Sequence, residues 1–170
     1  MKEKIISFLI IVLLIVFQIF VFNNIRFWGL GCVFIYFFYI IFAPITLKPV
    51  PLIIIGFFTG LVIDLLSNGY GVCAFAATLI AYLRPKILRL FFSENELEYK
   101  VSKMFFSLSY DYYKYVFLMI VIHNFVVFSL EAYSLKLIVP VLLKTTVSTV
   151  ISAIFFFFIY ALFANKKNER

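Results

Sequence analysis

One acid lies inside a long apolar run: Gly56-Phe57-Phe58-Thr59-Gly60-Leu61-Val62-Ile63-Asp64. On insertion scales, an aspartate at the centre of a membrane helix costs roughly 2.5–3.5 kcal/mol. Gly56, Gly60 and Asp64 are four residues apart and share one helical face. The two glycines let a neighbouring backbone come close, and the acid meets its partner on that same side. Three roles are open to Asp64: a contact that fixes helix packing or a partner interface, an acid hydrated beside Ser67-Asn68-Gly69, or an ion carrier. Carriers usually show chains of buried acids or histidines, and neither this helix nor the next holds a second acid.

The following helix carries its own small face, with Gly71, Ala74, Thr78 and Ala81 or Tyr82 at spacings of three and four. The tight Asn68-Gly69 turn joins the two, so a close antiparallel hairpin is expected, glycine face against alanine face. Further on, His123-Asn124 sits midway along an apolar run, with Glu131 eight residues later on a similar face. His123 is the only histidine. By itself it cannot build a zinc site, which takes three or four protein ligands. An interhelical hydrogen bond and a ligand or proton contact are its two readings, and in both it faces protein. The last apolar run places Lys144, Ser148 and Ser152 on one stripe and Thr145, Thr149 and Ala153 on the next, with Lys144 within reach of Glu131 or Asp64. There is no HExxH, GxSxG, Walker loop or GxGxxG, and no helix carries two carboxylates close together. The expectation is a protein with no catalytic residues, metal or cofactor.

These residues need helices to place them, and the composition says in which solvent. The chain has 170 residues, 65% of them hydrophobic, with a mean hydropathy of +1.12. Soluble domains run near 45–50% apolar, so this chain uses lipid as its solvent. It reads as one integral membrane domain over 1–170, all-α and polytopic, with six transmembrane helices near 5–22, 27–43, 50–66, 70–90, 115–131 and 144–164. The fourth is interrupted by Arg84-Pro85. The first is too long for a signal peptide and lacks a cleavage site after it.

With the N-terminus in the cytoplasm, six crossings return the C-terminus there. Of the fifteen lysines and arginines, only Arg26, Lys136 and Lys144 then lie outside, as the positive-inside rule favours. The cytoplasmic cations, among them Arg84, Lys86, Arg89, Lys100 and Lys103, either set topology alone or also hold anionic lipid or a filament surface. The net charge of +7 does not point to nucleic acid, because no basic patch is interleaved with aromatics. Ser93-Glu94-Asn95-Glu96 reads as a capping box. It opens either a short amphipathic helix on the inner leaflet or a loop into the fifth helix. Cys32 and Cys73 read as small buried hydrophobes, with a disulfide as the alternative.

The run Phe58 to Gly71, then Ala74 and Ala81-Tyr82-Leu83-Arg84-Pro85, resembles the rod shape-determining protein MreD family. Asn23-Asn24 after the first helix fits it, as do His123-Asn124, Phe128 and Glu131 in the fifth. Length and helix number agree over essentially the whole chain. The resemblance implies a non-catalytic scaffold of bacterial cell-wall elongation in the inner (cytoplasmic) membrane. Its implied partners are the single-span periplasmic protein MreC, the actin-like MreB filament, and the glycosyltransferase and transpeptidase that extend peptidoglycan. It implies no catalytic residue, and it makes Asp64 and the glycines candidate packing or partner-binding positions. That family's six-helix arrangement also resembles the substrate-binding subunits of vitamin-uptake transporters. This is the alternative, and it would require polar side chains converging on a central pocket.

Overall fold

The structure, a computed structural model, describes residues 2–25, 31–44, 47–94, 110–133 and 137–165. Among these residues it is all-helical, with no strand. Helix α1 covers Lys2–Phe20 and runs into a 3-10 turn at Phe22–Asn24; α2 is a single short turn and a half, Phe38–Phe42. Then come α3 (Pro49–Ser67), α4 (Val72–Phe91), α5 (Tyr110–Ala132) and α6 (Ile138–Asn165). Four stretches are long and apolar enough to cross a membrane: Ser7–Asn24, Pro49–Ser67, Tyr110–Ala132 and Ile138–Phe158. They mark the chain as a membrane protein. Helix α4 matches them in length but carries Arg84, Lys86 and Arg89 in its second half.

Local chemistry sets the boundaries. Pro49 starts α3 where a missing N–H costs nothing. Asn68 ends it in the left-handed conformation, φ 54°, and the Gly69 amide donates to the Asp64 carbonyl at 2.8 Å. Gly71, at φ +87°, then reverses the chain into α4. Pro85 does not interrupt α4, which continues to Phe91. The capping-box segment after Glu94 lies outside the described residues.

The expected helix over 27–43 is corrected. Residues 31–37 are not helical, and only Phe38–Phe42 forms a helix. The stretch is nonetheless deeply buried: Val33 through Phe38, then Ile40 and Ile41, are all buried. It threads between the helices, touching Gln18 near the end of α1, then Cys73 at the start of α4, and finally Arg84 and Tyr115 at the opposite end of the bundle. Irregular backbone at membrane depth is tolerated only inside protein, where its polar groups find partners. Here side chains supply three of them. Gln18 donates to the Val33 carbonyl (3.0 Å) and accepts from the Ile35 amide (2.7 Å). Ser148 Oγ accepts from the Cys32 amide at 3.0 Å. A periodicity argument sees only an apolar run and cannot detect such partners on distant helices.

Packing follows chain order. Helices α3 and α4 form the tightest pair, α5 lies against α4, and α6 against α5. Asn23, in the turn after α1, donates to Ser67 at the end of α3 at 2.6 Å, which brings the C-terminal ends of these two helices together. Helix α1 otherwise presents apolar side chains outward, Phe8, Leu9 and Leu13 among them.

Candidate functional site

The α3–α4 hairpin forms as its sequence requires. A β-carbon on Gly60 would lie 2.5 Å from the Cys73 carbonyl oxygen and 2.6 Å from the Ala74 Cα, so only hydrogen fits. Gly56 is less crowded, its nearest neighbour being the Ala77 carbonyl oxygen at 3.1 Å. Asp64 is buried and turns both oxygens to the first turn of α4, accepting from the Cys73 amide (3.0 Å) and the Ala74 amide (2.8 Å). These are two of the four donors that a helix start leaves unpaired, and the helix dipole favours an anion there. Gly69 packs directly on this carboxylate and leaves no room for a side chain. Asp64 is therefore a buried cap. Lys144, half-buried on α6, is not its partner, and Glu131 is exposed at the end of α5. The Thr78 hydroxyl donates to the Ala74 carbonyl of its own helix at 2.7 Å, so its face packs without bonding across.

From Asp64 a line of polar side chains crosses the bundle. The link out of Asp64 is the Cys73 main chain, whose amide donates to the carboxylate and whose carbonyl faces Tyr36. The Tyr36 hydroxyl donates to the Cys73 carbonyl at 3.2 Å and lies 2.8 Å from His123 Nε2. His123 Nδ1 lies 3.3 Å from Asn124 Oδ1, and Asn124 Nδ2 donates to Thr149 Oγ1 at 3.2 Å. His123 is fully buried and stacks on Phe37 with 3.8 Å between centroids, while Phe34 and Tyr36 meet its edge. One line thus ties α3, α4, the threaded segment, α5 and α6 together. Hydrogen bonds in this low-dielectric interior are electrostatically stronger than in water, so each link holds the elements that supply it.

At the other end of the bundle, Arg84 faces inward, which corrects its expected place among the exposed cations. Its guanidinium donates to the Ala43 carbonyl, and the Tyr115 hydroxyl reaches the Ile41 carbonyl at 3.5 Å. Arg84 and Tyr115 together serve the carbonyl end of α2, as Asp64 serves the amide end of α4. Arg84 Nε is buried without a partner. Lys86 and Arg89 do point outward, as do Lys48 and Lys114.

No family model, no curated protein and no solved structure matches the chain.

The hairpin residues Gly56, Gly60, Asp64 and Ala74 thus meet as a unit, and His123 and Asn124 form the hub of the polar line. On α6, Thr145, Ser148, Thr149, Ser152 and Ala153 are all buried, as their two stripes suggest. Sequence reasoning missed Gln18, Tyr36 and Tyr115. Gln18 carried a readable signal, being the one glutamine of the chain and the only amide in the apolar run from Ile5 to Phe22. The tyrosines stand among many aromatics and carry none. Among the described residues, no group of three or more histidines, cysteines or acids could hold a metal ion.

Proposed function

We propose that this chain is a non-catalytic membrane scaffold and regulator of the bacterial cell-wall elongation complex, required for rod shape and lateral peptidoglycan synthesis. The observation that carries the reading is the Gly60–Asp64 hairpin. The residues that resemble the MreD family are the ones that meet in close contact, so the motif is a packing unit. The filled interior supports the same reading over the vitamin-binding alternative. Residues 31–43 and the rings around His123 occupy the space where a central ligand would sit. The partners are an MreC-like single-span periplasmic protein and, directly or through it, an MreB-type filament and the peptidoglycan glycosyltransferase and transpeptidase. Membrane lipid surrounds the rest.

In this reading the five long helices and the threaded segment carry the chain across the inner membrane six times, with both termini in the cytoplasm. The exposed cations at the Arg84 end, Lys48, Lys86, Arg89 and Lys114, support that orientation.

The deciding experiment is affinity purification of the tagged chain from its own cells. A scaffold retains a single-span periplasmic protein, and its depletion rounds the cells. Retention of an ATP-driven transport module, with normal cell shape, would instead establish the vitamin-uptake reading. A reporter fused after Arg170 tests the topology, and activity of a periplasm-only reporter there would overturn six crossings.

A further inference from the structure

We infer that residues 31–37 are a two-state element: unwound and clamped by side chains here, and able to rewind into a helix continuous with α2. The inference concerns how the bundle changes shape, and it does not rest on the identity of any partner.

Three observations lead to it. First, the run 27–43 is apolar throughout its described part and contains no proline before Pro44, so nothing in it forbids a helix. The Phe38 amide already donates to the Ile35 carbonyl (3.0 Å) and the Ile40 amide to that of Phe37 (2.9 Å), so α2 is tightly wound up to its first turn. Second, the unwound stretch is held by few groups: Gln18 at Val33 and Ile35, Ser148 at Cys32, and the Tyr36 hydroxyl. In a helix the Ile35 amide would pair with the Gly31 carbonyl, in the ordinary i to i−4 pattern. Third, two of the clamp groups, Gln18 and Ser148, have other partners to turn to. Gln18 Nε2 already donates to Asn23 Oδ1 at 2.8 Å. The Ser148 hydroxyl can bond the carbonyl four residues back, as Thr146 on the same helix does with Leu142 at 2.8 Å. In a helix the Tyr36 and Phe37 amides would likewise pair with the Cys32 and Val33 carbonyls, so rewinding supplies main-chain partners of its own.

Gly31 sits at the edge of the element. A β-carbon there would come 2.8 Å from Val147 Cγ1, so the clamped state favours glycine, whereas a helix favours alanine.

The test uses the full chain in lipid nanodiscs and carbon-13 Cα shifts of residues 32–37. Gln18→Leu with Ser148→Ala should move these shifts to helical values, changing the helix-to-clamped ratio roughly tenfold or more for the hydrogen bonds removed. Gly31→Ala should move them the same way by independent chemistry. The amide signals of Cys73 and Ala74 report that the α3–α4 hairpin is intact. Non-helical shifts in both folded variants overturn the inference. So does loss of the folded protein on removing the clamp, since an element with a second state has somewhere to go.

Discussion

Gly60 and Ala74 stand backbone to backbone, so close that a β-carbon on Gly60 would lie 2.6 Å from the Ala74 Cα. Nothing in that contact can yield, because both sides are main chain. Gly60→Ala should therefore destabilise the protein by about 3 kcal/mol through overpacking. Gly56→Ala, which meets the Ala77 carbonyl oxygen at 3.1 Å, should cost clearly less. Thermal melting in detergent, followed by size-exclusion, ranks the two, and equal losses would contradict the geometry.

Asp64 acts on α4 through two oxygens, which separates its variants. Asp64→Asn keeps one acceptor and should cost about 1 kcal/mol, in the range of a lost cap. Asp64→Ala strands two buried amides and should cost more than twice that. Partner retention is the second readout. If Asp64→Asn keeps the periplasmic partner while Gly60→Leu loses it, the hairpin works by shape and the charge is secondary.

Tyr36 and His123 meet at 2.8 Å inside the bundle. In a double-mutant cycle with Tyr36→Phe and His123→Phe, the coupling should be about 1 kcal/mol, the net worth of a buried hydrogen bond. Chemical denaturation of the four proteins measures it. A coupling of zero would mean that ring packing alone holds the centre.

Arg84 closes the carbonyl end of α2, and its length matters. Arg84→Lys should keep a donor near the Ala43 carbonyl and cost about 1 kcal/mol. Arg84→Ala should cost about 3 kcal/mol, leaving that carbonyl unpaired beside a void. Lys86→Ala, two residues on but exposed, should change stability by less than about 0.5 kcal/mol. A Lys86 variant as damaging as Arg84→Ala would place the inward-facing cation wrongly.

The helices legible in the sequence were those whose reasons are local. Pro49, Asn68-Gly69 and Gly71 bracket α3 and open α4 by backbone chemistry that acts over a few residues. The glycine and alanine faces then leave one way for the pair to close. The partner of Asp64 was not legible in the same way. In the sequence the acid reads as a packing or partner contact, a hydrated group or an ion carrier, and only the fold brings the Cys73 and Ala74 amides beneath it. Arg84 looked like one more cation at a helix end, because side-chain direction near a membrane surface depends on what packs against the helix.

Composition alone put this chain in lipid, because no soluble fold of 170 residues could bury so much phenylalanine, isoleucine and leucine. Spacing alone paired α3 with α4, because small residues four apart must lie on one face. Tertiary structure decided what happens between α1 and α3. There the apolar run could have been a helix, and Gln18, Ser148, Tyr115 and Arg84 instead hold it threaded through the centre. Those four lie on four different helices, and no local pattern records that they converge, because hydrogen bonds to main chain from distant side chains leave no period in a sequence.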